Sequence, residues 1–410
     1  MTLPGGAERL AALDLIRGIA VLGILAVNIA GFAGPISATF SPNLPGPGST
    51  ADVAAFLVTF VVFEGKLRGL FSLLFGASML LFVERAEAGG RGGGALQLRR
   101  LGWLGLFGYL HYLLLWWGDI LFVYAVCGII ALALRGMAVR NQVTLALMIF
   151  TVWHGAGAID AGIAASREAA VLRGTASVAA VKAYRAEHAD MARDTARELA
   201  GYRTGYTAQV RAKAANAPWW PVELALNNIG EVLPLMLLGM ALLRTGFFAG
   251  AWPRRTLRRI AIWGIGAGGA LTAILALWLW RSGFPPDAMR GAAYLFSAFP
   301  RLAMVVGYAA ALMLAAPALL TTRIGARLRA AGRMAFSNYL GTSLVMCAIF
   351  YGWGFGLIGH VPRAAQPLFV LGGWAAMLAW SKPWLARFRQ GPLEWLWRSL
   401  TEGRVLPFRR

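Results

Sequence analysis

The chain alternates between long apolar runs and short basic connections, and the runs have the length that a lipid bilayer asks of a helix. A transmembrane helix needs roughly 20 mostly apolar residues at about 1.5 Å each. On that measure the pattern predicts spans near residues 11–33, 56–83, 98–117, 119–135, 141–163, 221–243, 259–281, 291–317, 334–353 and 366–384. The expected fold class is all-α: a polytopic transmembrane helical bundle of about ten spans, with a re-entrant or interfacial segment and an external helical insert. Spans one to five occupy 1–164, the polar insert 165–220, spans six to ten 221–385 and an amphipathic tail 386–410.

Two places strain the pattern. Residues 52–83 are too long for one span and too short for two, and Glu64, Gly65, Lys66 and Arg68 interrupt the apolar run. A short interfacial or re-entrant helix followed by a true span fits, because broken backbone at membrane depth survives only against protein or water. Between Trp117 and Asp119 there is almost no room for a loop, so spans three and four should form a tight outer hairpin unless they line a cavity there.

Composition agrees with lipid as the solvent: 58% of the 410 residues are hydrophobic and 14% charged, and the mean hydropathy is +0.61. The formal charge of +21 could suggest nucleic acid, but the basic residues sit in clusters between apolar runs, the pattern that sets topology. Arg85, Arg91, Arg135, Arg140, Arg244, Arg254, Arg255, Arg323, Arg327 and the Arg-rich tail fall on one side, expected to be the cytoplasm of a bacterial inner membrane, with both termini there. The other side carries the loop from Gly34 to Thr50 and the insert, whose basic residues are partly balanced by Glu168, Glu187, Asp190, Asp194 and Glu198. The insert reads as an external cap or as a lid over an acceptor. No cleavage site follows the first apolar run, which is expected to be retained. Cys127 and Cys347 read as packing residues, and the absence of HExxH, GxSxG or paired-Cys patterns implies neither a zinc site nor a nucleophile elbow. His188 and His360 are expected to be solvated on the outer side.

Chemistry is sought where polar groups enter the spans, because each ionisable group at a helix centre costs roughly 2.5 to 3.5 kcal/mol on insertion scales. Asp14, Arg17 and Asn28 share one stripe of the first span, at spacings of three and eleven. The third span repeats the geometry, with Arg100 beside Arg99 at its entrance and His111 eleven residues on, near Asp119. In the sixth span Glu223, Asn227 and Glu231 recur every fourth residue. Asn338 and Tyr339 lie in the ninth, and Lys66 sits at the break in the second. Each group also has a structural reading as an ion pair or interhelical hydrogen bond.

The stretches LDLIRGIAVLGILAVNI, FEGKLRGLFSLLFGASMLLF, GYLHYLLLWWGDILFVYA, LPLMLLGMALLRTGFF, GRMAFSNYL and GPLEWLWRSLTEGR resemble the YeiB family of bacterial membrane proteins over nearly the whole chain. The first span is similar to those of the heparan-α-glucosaminide N-acetyltransferases and the type-three membrane acyltransferases. That resemblance implies transfer of an acyl group from cytoplasmic acyl-CoA, such as acetyl-CoA, to an acceptor on the other side. Arg17, Arg99 and Arg100 would then hold the donor's phosphates. His111, oriented by Asp119 or Glu231, would act as general base, and Asp14, Asn28, Lys66, Asn227, Asn338 and Tyr339 would contact substrate. The type-three enzymes have a histidine in the place of Asn28, and the heparan enzymes have one shortly after their Asn. None lies between Asn28 and His111 here, so His111 would have to take over the role from another helix. The expected partners are membrane lipids and a small-molecule or glycan acceptor, with a homodimer left open and nucleic acid excluded. The alternative is a transporter or flippase of a small polar or lipid-linked solute, with Glu231, His111 and Asp119 as its relay.

Overall fold

The computed structural model describes residues 6–410 apart from Pro45, with side chains from residue 11 onward. The extreme N-terminus, expected to be cytoplasmic, lies outside the described residues. The helices are α1 (Gly6–Ala33), α2 (Thr50–Val58), α3 (Lys66–Ala88), α4 (Gly93–Leu114), α5 (Leu121–Ala133), α6 (Val139–Leu172), α7 (Val178–Tyr202) and α8 (Tyr206–Asn216). There follow α9 (Trp220–Arg244), α10 (Arg254–Arg281), α11 (Pro286–Gly291), α12 (Ala298–Leu320), α13 (Arg323–Arg333), α14 (Ala335–Phe350), α15 (Gln366–Arg387) and α16 (Pro392–Glu402). Among the described residues there is no strand, only an isolated bridge between Phe388 and Arg409. The protein is an all-α membrane bundle. Each expected span coincides for most of its length with helix, and 56–83 and 291–317 coincide with helices interrupted by π-helical turns. Among the described residues six segments are long and apolar enough to cross a membrane, α1, α2–α3, α6, α9, α10 and α12, and α5 and α14 are shorter apolar helices.

α1 is the axis of the bundle, with Leu15, Ile16 and Ala20 fully buried. Small residues let neighbouring backbones touch, which is how helices associate where lipid is as apolar as leucine. A Cβ on Gly76 of α3 would lie 2.1 Å from the Met236 carbonyl of α9, and one on Gly239 would lie 1.9 Å from the Leu73 carbonyl. The basic connections meet at one end of the bundle, where Arg244 donates to the carbonyls of Arg135 and Met137 and Arg91 pairs with Glu402 at 2.6 Å.

The two strained places resolve into broken helices. α2 runs into a π-helical turn at Thr59–Phe63, breaks at Glu64 and Gly65, and resumes as α3. Gly65 has φ +70°, and a Cβ there would lie 2.1 Å from Cδ of Arg301, so only glycine fits. A second π-helical turn, Ala292–Phe296, separates α11 from α12, and Arg301 donates to its Ala293 and Tyr294 carbonyls at 2.8 and 3.1 Å.

The connection between α4 and α5 is the tight hairpin expected, but its chain turns inside the bundle. Residues 115–120 are non-helical and fold back along α4, so that Phe122 N and Asp119 Oδ2 stand against Gly108. Six residues of helix separate Gly108 from Leu114, about 9 Å at 1.5 Å each, so α5 begins inside the bundle. Side chains supply the partners that bare backbone needs at this depth. Trp220 Nε1 donates to the Trp117 carbonyl, Ile120 N–H to Tyr339 Oη, and Lys213 Nζ to the carbonyls of Tyr112 and Leu115.

At the end opposite the basic connections α6 extends to Leu172, and α7 and α8 fold over the bundle as a cap. The Ile36 N–H donates to Glu198 Oε1 at 2.9 Å, and Tyr202 stacks on Tyr351 at 4.5 Å. Burial raises the Glu198 carboxyl from the usual 4.5 to about 7, against the opposing pull of the Ile36 N–H. A raised carboxyl holds its proton better when docked than when free. Its contribution to docking is therefore complete below about 4.5 and declines as pH rises to about 7, with no further change above. Protection of α7 amides from hydrogen exchange, corrected for intrinsic rate, should fall across that window. Glu198→Gln should flatten the dependence; an unchanged profile in the variant would assign it to another group.

Candidate functional site

A cavity of about 380 Å³ opens among the basic connections and runs inward between α1, α3, α4, α14 and α16 to the first turn of α5. α1 contributes Asp14 and Arg17, paired at 2.8 Å, and Arg17 also donates to Ser78 Oγ of α3 at 2.8 Å. From α4 come Gln97, whose buried Oε1 has no partner, and Arg100. The Arg100 guanidinium lies 4.8 Å from the Phe82 ring and 4.2 Å from the Trp397 ring, a cation between two aromatic faces. Its buried Nε has no hydrogen-bond partner, and no carboxylate among the described residues pairs with it. Arg333, Arg389 and Arg398 also line the space.

The tail helix forms one wall. Pro392 starts α16, because its fixed φ suits a first helical turn and it has no N–H to leave unpaired. Trp397 Nε1 donates to the Arg100 carbonyl at 2.8 Å. Glu394 accepts from the backbone N–H groups of Phe336 and Ser337 and from Ser337 Oγ, capping α14. Burial pushes the Glu394 carboxyl above its usual range in spite of those donors.

At the inner end His111 Nδ1 and Asp119 Oδ1 are 2.8 Å apart, both side chains 1% exposed. Asp119 Oδ2 accepts from the Phe122 N–H, capping α5. With Asp119 accepting on both oxygens, His111 donates from Nδ1 and leaves a lone pair on Nε2. That Nε2 is buried without a partner. Tyr339, at 5.2 Å between ring centroids from His111, lines the cavity together with Ile120, and the His111 ring lies behind them.

The structure thus brings together Asp14, Arg17, Arg100 and Tyr339 around the cavity, with His111 and Asp119 at its inner end. Other expected site residues lie elsewhere. Glu231 does not orient His111; it bridges Arg68 at 3.1 Å and Arg301 at 3.2 Å. Lys66 is buried near that cluster and donates to the Phe60 carbonyl of the π-helical turn at 2.6 Å. Arg99 is exposed beside Gly403, because its neighbour Arg100 occupies the inward face of α4. Asn227 is exposed, since the stripe of α9 turns outward before Glu231, and Asn28 is half-buried outside the cavity lining. Asn338 is consumed structurally: it donates to the Ala331 carbonyl and Ser381 Oγ and accepts from Trp380 Nε1, tying α14 to α13 and α15.

Sequence reasoning missed Gln97 and Ser78; it read the tail as a short helix on the cytoplasmic face that packs there or gates the donor, without identifying Trp397 as the residue that meets Arg100. It also missed a cluster at the capped end. His188 is not solvated as expected; its side chain is 20% exposed and faces Glu168, and these two with Asp287 place one ligand atom each within 4.8 Å of the others.

The family described as a protein of unknown function (DUF418) matches residues 242–404. The uncharacterized protein YeiB of Escherichia coli (strain K12) is 30% identical over 403 residues, covering 96% of each chain. The uncharacterized protein YxaH of Bacillus subtilis (strain 168) is 30% identical over 426 residues, covering 96% of this chain and 94% of its own. An uncharacterized 39.9 kDa protein of Bacillus acidopullulyticus is 26% identical across 98% of this chain and 96% of its own. No solved structure matches. With identity of that level along almost its entire length, and the same helical bundle running through it, the chain belongs to the YeiB family of membrane proteins.

Proposed function

We propose that this protein is an acyltransferase of the bacterial inner membrane, with its termini in the cytoplasm, that moves an acyl group from cytoplasmic acyl-CoA, such as acetyl-CoA, to an acceptor reached from the membrane or the far side. The observation that carries the reading is Arg100: a half-buried guanidinium whose buried Nε has no partner and which no carboxylate among the described residues pairs with, in the wall of a cavity whose mouth gathers four more arginines. Unpaired buried cations are costly, and a phosphate-bearing ligand would supply the missing charge. About 16 Å of α4 separates Arg100 from His111 at 1.5 Å per residue, so an elongated ligand anchored by phosphate at the mouth would present its far end to the first turn of α5.

In this reading the acceptor's O–H or N–H gives its proton to His111 Nε2 as the acceptor attacks the thioester carbonyl. The C–S bond breaks, the CoA sulfur takes the proton back from the imidazolium, and the acylated acceptor and CoA thiol leave. Asp119 fixes the tautomer and offsets the imidazolium charge, the role that carboxylates play in hydrolytic triads. Tyr339, between cavity and imidazole, must turn aside for the carbonyl to reach Nε2.

Acetyl-CoA titrated into detergent-purified protein by calorimetry tests the donor site. Arg100→Ala should weaken binding by about tenfold to a hundredfold, the value of a hydrogen bond to a charged group at roughly 1.5–3 kcal/mol, and His111→Ala should leave it unchanged. Equal affinity of wild type and Arg100→Ala would sink the donor site. A second reading, a transporter, has one observation in its favour: two π-helical breaks meet at Arg301 and Glu231, and interrupted membrane helices commonly hold solutes. Proton-driven solute flux in proteoliposomes without release of CoA thiol would select it.

A further inference from the structure

We propose that Glu168, His188 and Asp287 bind one divalent transition-metal ion that staples the cap to the bundle, independently of any acyl chemistry. The three residues come from separate elements: Glu168 from the extension of α6, His188 from α7 of the cap and Asp287 from α11. Their ligand atoms lie within 4.8 Å of one another. Bonds of about 2.0–2.2 Å at tetrahedral angles put three donors roughly 3.3–3.6 Å apart, so side-chain shifts on the order of 1 Å close the site.

Two features of these residues ask for a cation. The Glu168 side chain is 1% exposed, yet no lysine or arginine among the described residues pairs with it. Its partners are neutral: Tyr184 Oη donates at 2.9 Å, and the backbone N–H groups of Asp287 and Ala288 donate at 3.2 and 3.0 Å. Two of these donors are free first-turn N–H groups of α11 and offset part of the charge, but no full positive charge among the described residues meets the carboxylate, and a buried charge is commonly paired or bound to metal. The second feature is His188 Nε2, a fully buried atom with no hydrogen-bond partner, 4.0 Å from Glu168 Oε1. With its proton on Nδ1, a neutral imidazole would present the Nε2 lone pair to an ion held between it and the carboxylate. The Tyr184 ring packs against that of His188 at 3.9 Å while its hydroxyl holds Glu168, which orients two ligands at once in the way outer partners of metal sites do. Asp287 gives Oδ1 to Arg290, which also approaches Glu187 at 3.7 Å, and keeps its other oxygen for a ligand.

One imidazole and two carboxylates, with no sulfur, suit Zn²⁺ or Mn²⁺ better than the hard Mg²⁺ and Ca²⁺ or the soft Cu⁺. The remaining positions would be filled by water. The staple would fix α11, and through it the π-helical turn whose carbonyls Arg301 holds.

The test uses the untagged full chain in detergent, stripped with EDTA and freed of chelator, with Zn²⁺ and Mn²⁺ as probes. Elemental analysis and calorimetry should give one ion per chain, and binding should raise the unfolding temperature. His188→Ala and Glu168→Gln should each weaken binding by at least about tenfold. X-ray absorption at the zinc edge of the wild-type complex should show one imidazole among oxygen ligands, a readout that stands even if the variants fail to fold. Failure of the wild type to bind saturably at one to one, undiminished binding in folded His188→Ala, or an all-oxygen shell would each overturn the assignment. So would stabilisation by acid alone with no metal response, which would make the cluster a His188–Glu168 ion pair beside Tyr184, Asp287, Glu187 and Arg290. Loss of acyl-CoA binding would leave this result untouched.

Discussion

Asp119→Asn should abolish most acyl transfer while leaving the fold and acyl-CoA binding intact, and this is the sharpest consequence of the geometry around His111. The Phe122 N–H needs an acceptor, so the amide oxygen of the variant must face it and the amide nitrogen must face His111 Nδ1. An N–H₂ group there turns Nδ1 into the acceptor and moves the imidazole proton to Nε2, the nitrogen that has to take a proton from the acceptor. The wrong tautomer cost about 10⁴-fold in the serine-protease case from which this logic is drawn. His111→Ala should lose about 10²- to 10⁴-fold, the usual worth of a general base. The measurement is release of CoA thiol by purified protein in membranes that supply the acceptor, with acetyl-CoA affinity followed in parallel. Wild-type turnover in Asp119→Asn would show that the carboxylate only caps α5, and the base would have to be sought elsewhere.

The membrane architecture was legible because apolar length is a direct demand of the bilayer: residues 11–33 or 366–384 have few places to go but across or along lipid. Breaks were legible where charge marked them, as at Glu64, Lys66 and Arg68. Between α4 and α5 Gly118 and Asp119 marked a turn but not its extent. Leu115, Trp116, Trp117 and Ile120 are apolar, and hydropathy reports the solvent these side chains prefer, not whether their backbone is helical. The information that unwinds them sits in Tyr339, Trp220 and Lys213, more than ninety positions away.

Within the site the same divide holds. Asp14 with Arg17, and His111 with Asp119, are near in sequence, so helical spacing or a short turn sufficed to find them. Arg99 and Arg100 could not be told apart by residue type; the 100° step between them puts one on the surface and the other between Phe82 and Trp397. The periodicity of α9 found the stripe that carries Glu231 but could not say which helix it faces. The cluster of Glu168, His188 and Asp287 spans 119 positions, beyond any local pattern.

Glu231→Ala should be among the most destabilising single changes in the molecule, and the reason lies in what it leaves behind. Glu231 is 8% exposed and is the carboxylate shared by Arg68 and Arg301. Removing one member of a buried ion pair costs about 3–5 kcal/mol, because the remaining charge is left uncompensated in a low-dielectric interior. Here two guanidinium groups are orphaned. Arg301, 2% exposed, keeps the carbonyls of Ala293 and Tyr294 but loses its counter-charge. Arg68, with 27% of its side chain accessible, loses its only side-chain hydrogen bond and can turn toward solvent or lipid headgroups. The double variant Glu231→Ala with Arg301→Leu should therefore recover part of the loss, although the π-helical turn would then lack its clamp. Glu223→Gln, on the exposed face of the same helix, should change stability by less than about 0.5 kcal/mol. Thermal unfolding in one detergent, compared across the four proteins, reads the differences. A cost below about 1 kcal/mol for Glu231→Ala would mean that water reaches Arg68 and Arg301, and would move weight from the acyltransferase toward a solute path between the two broken helices.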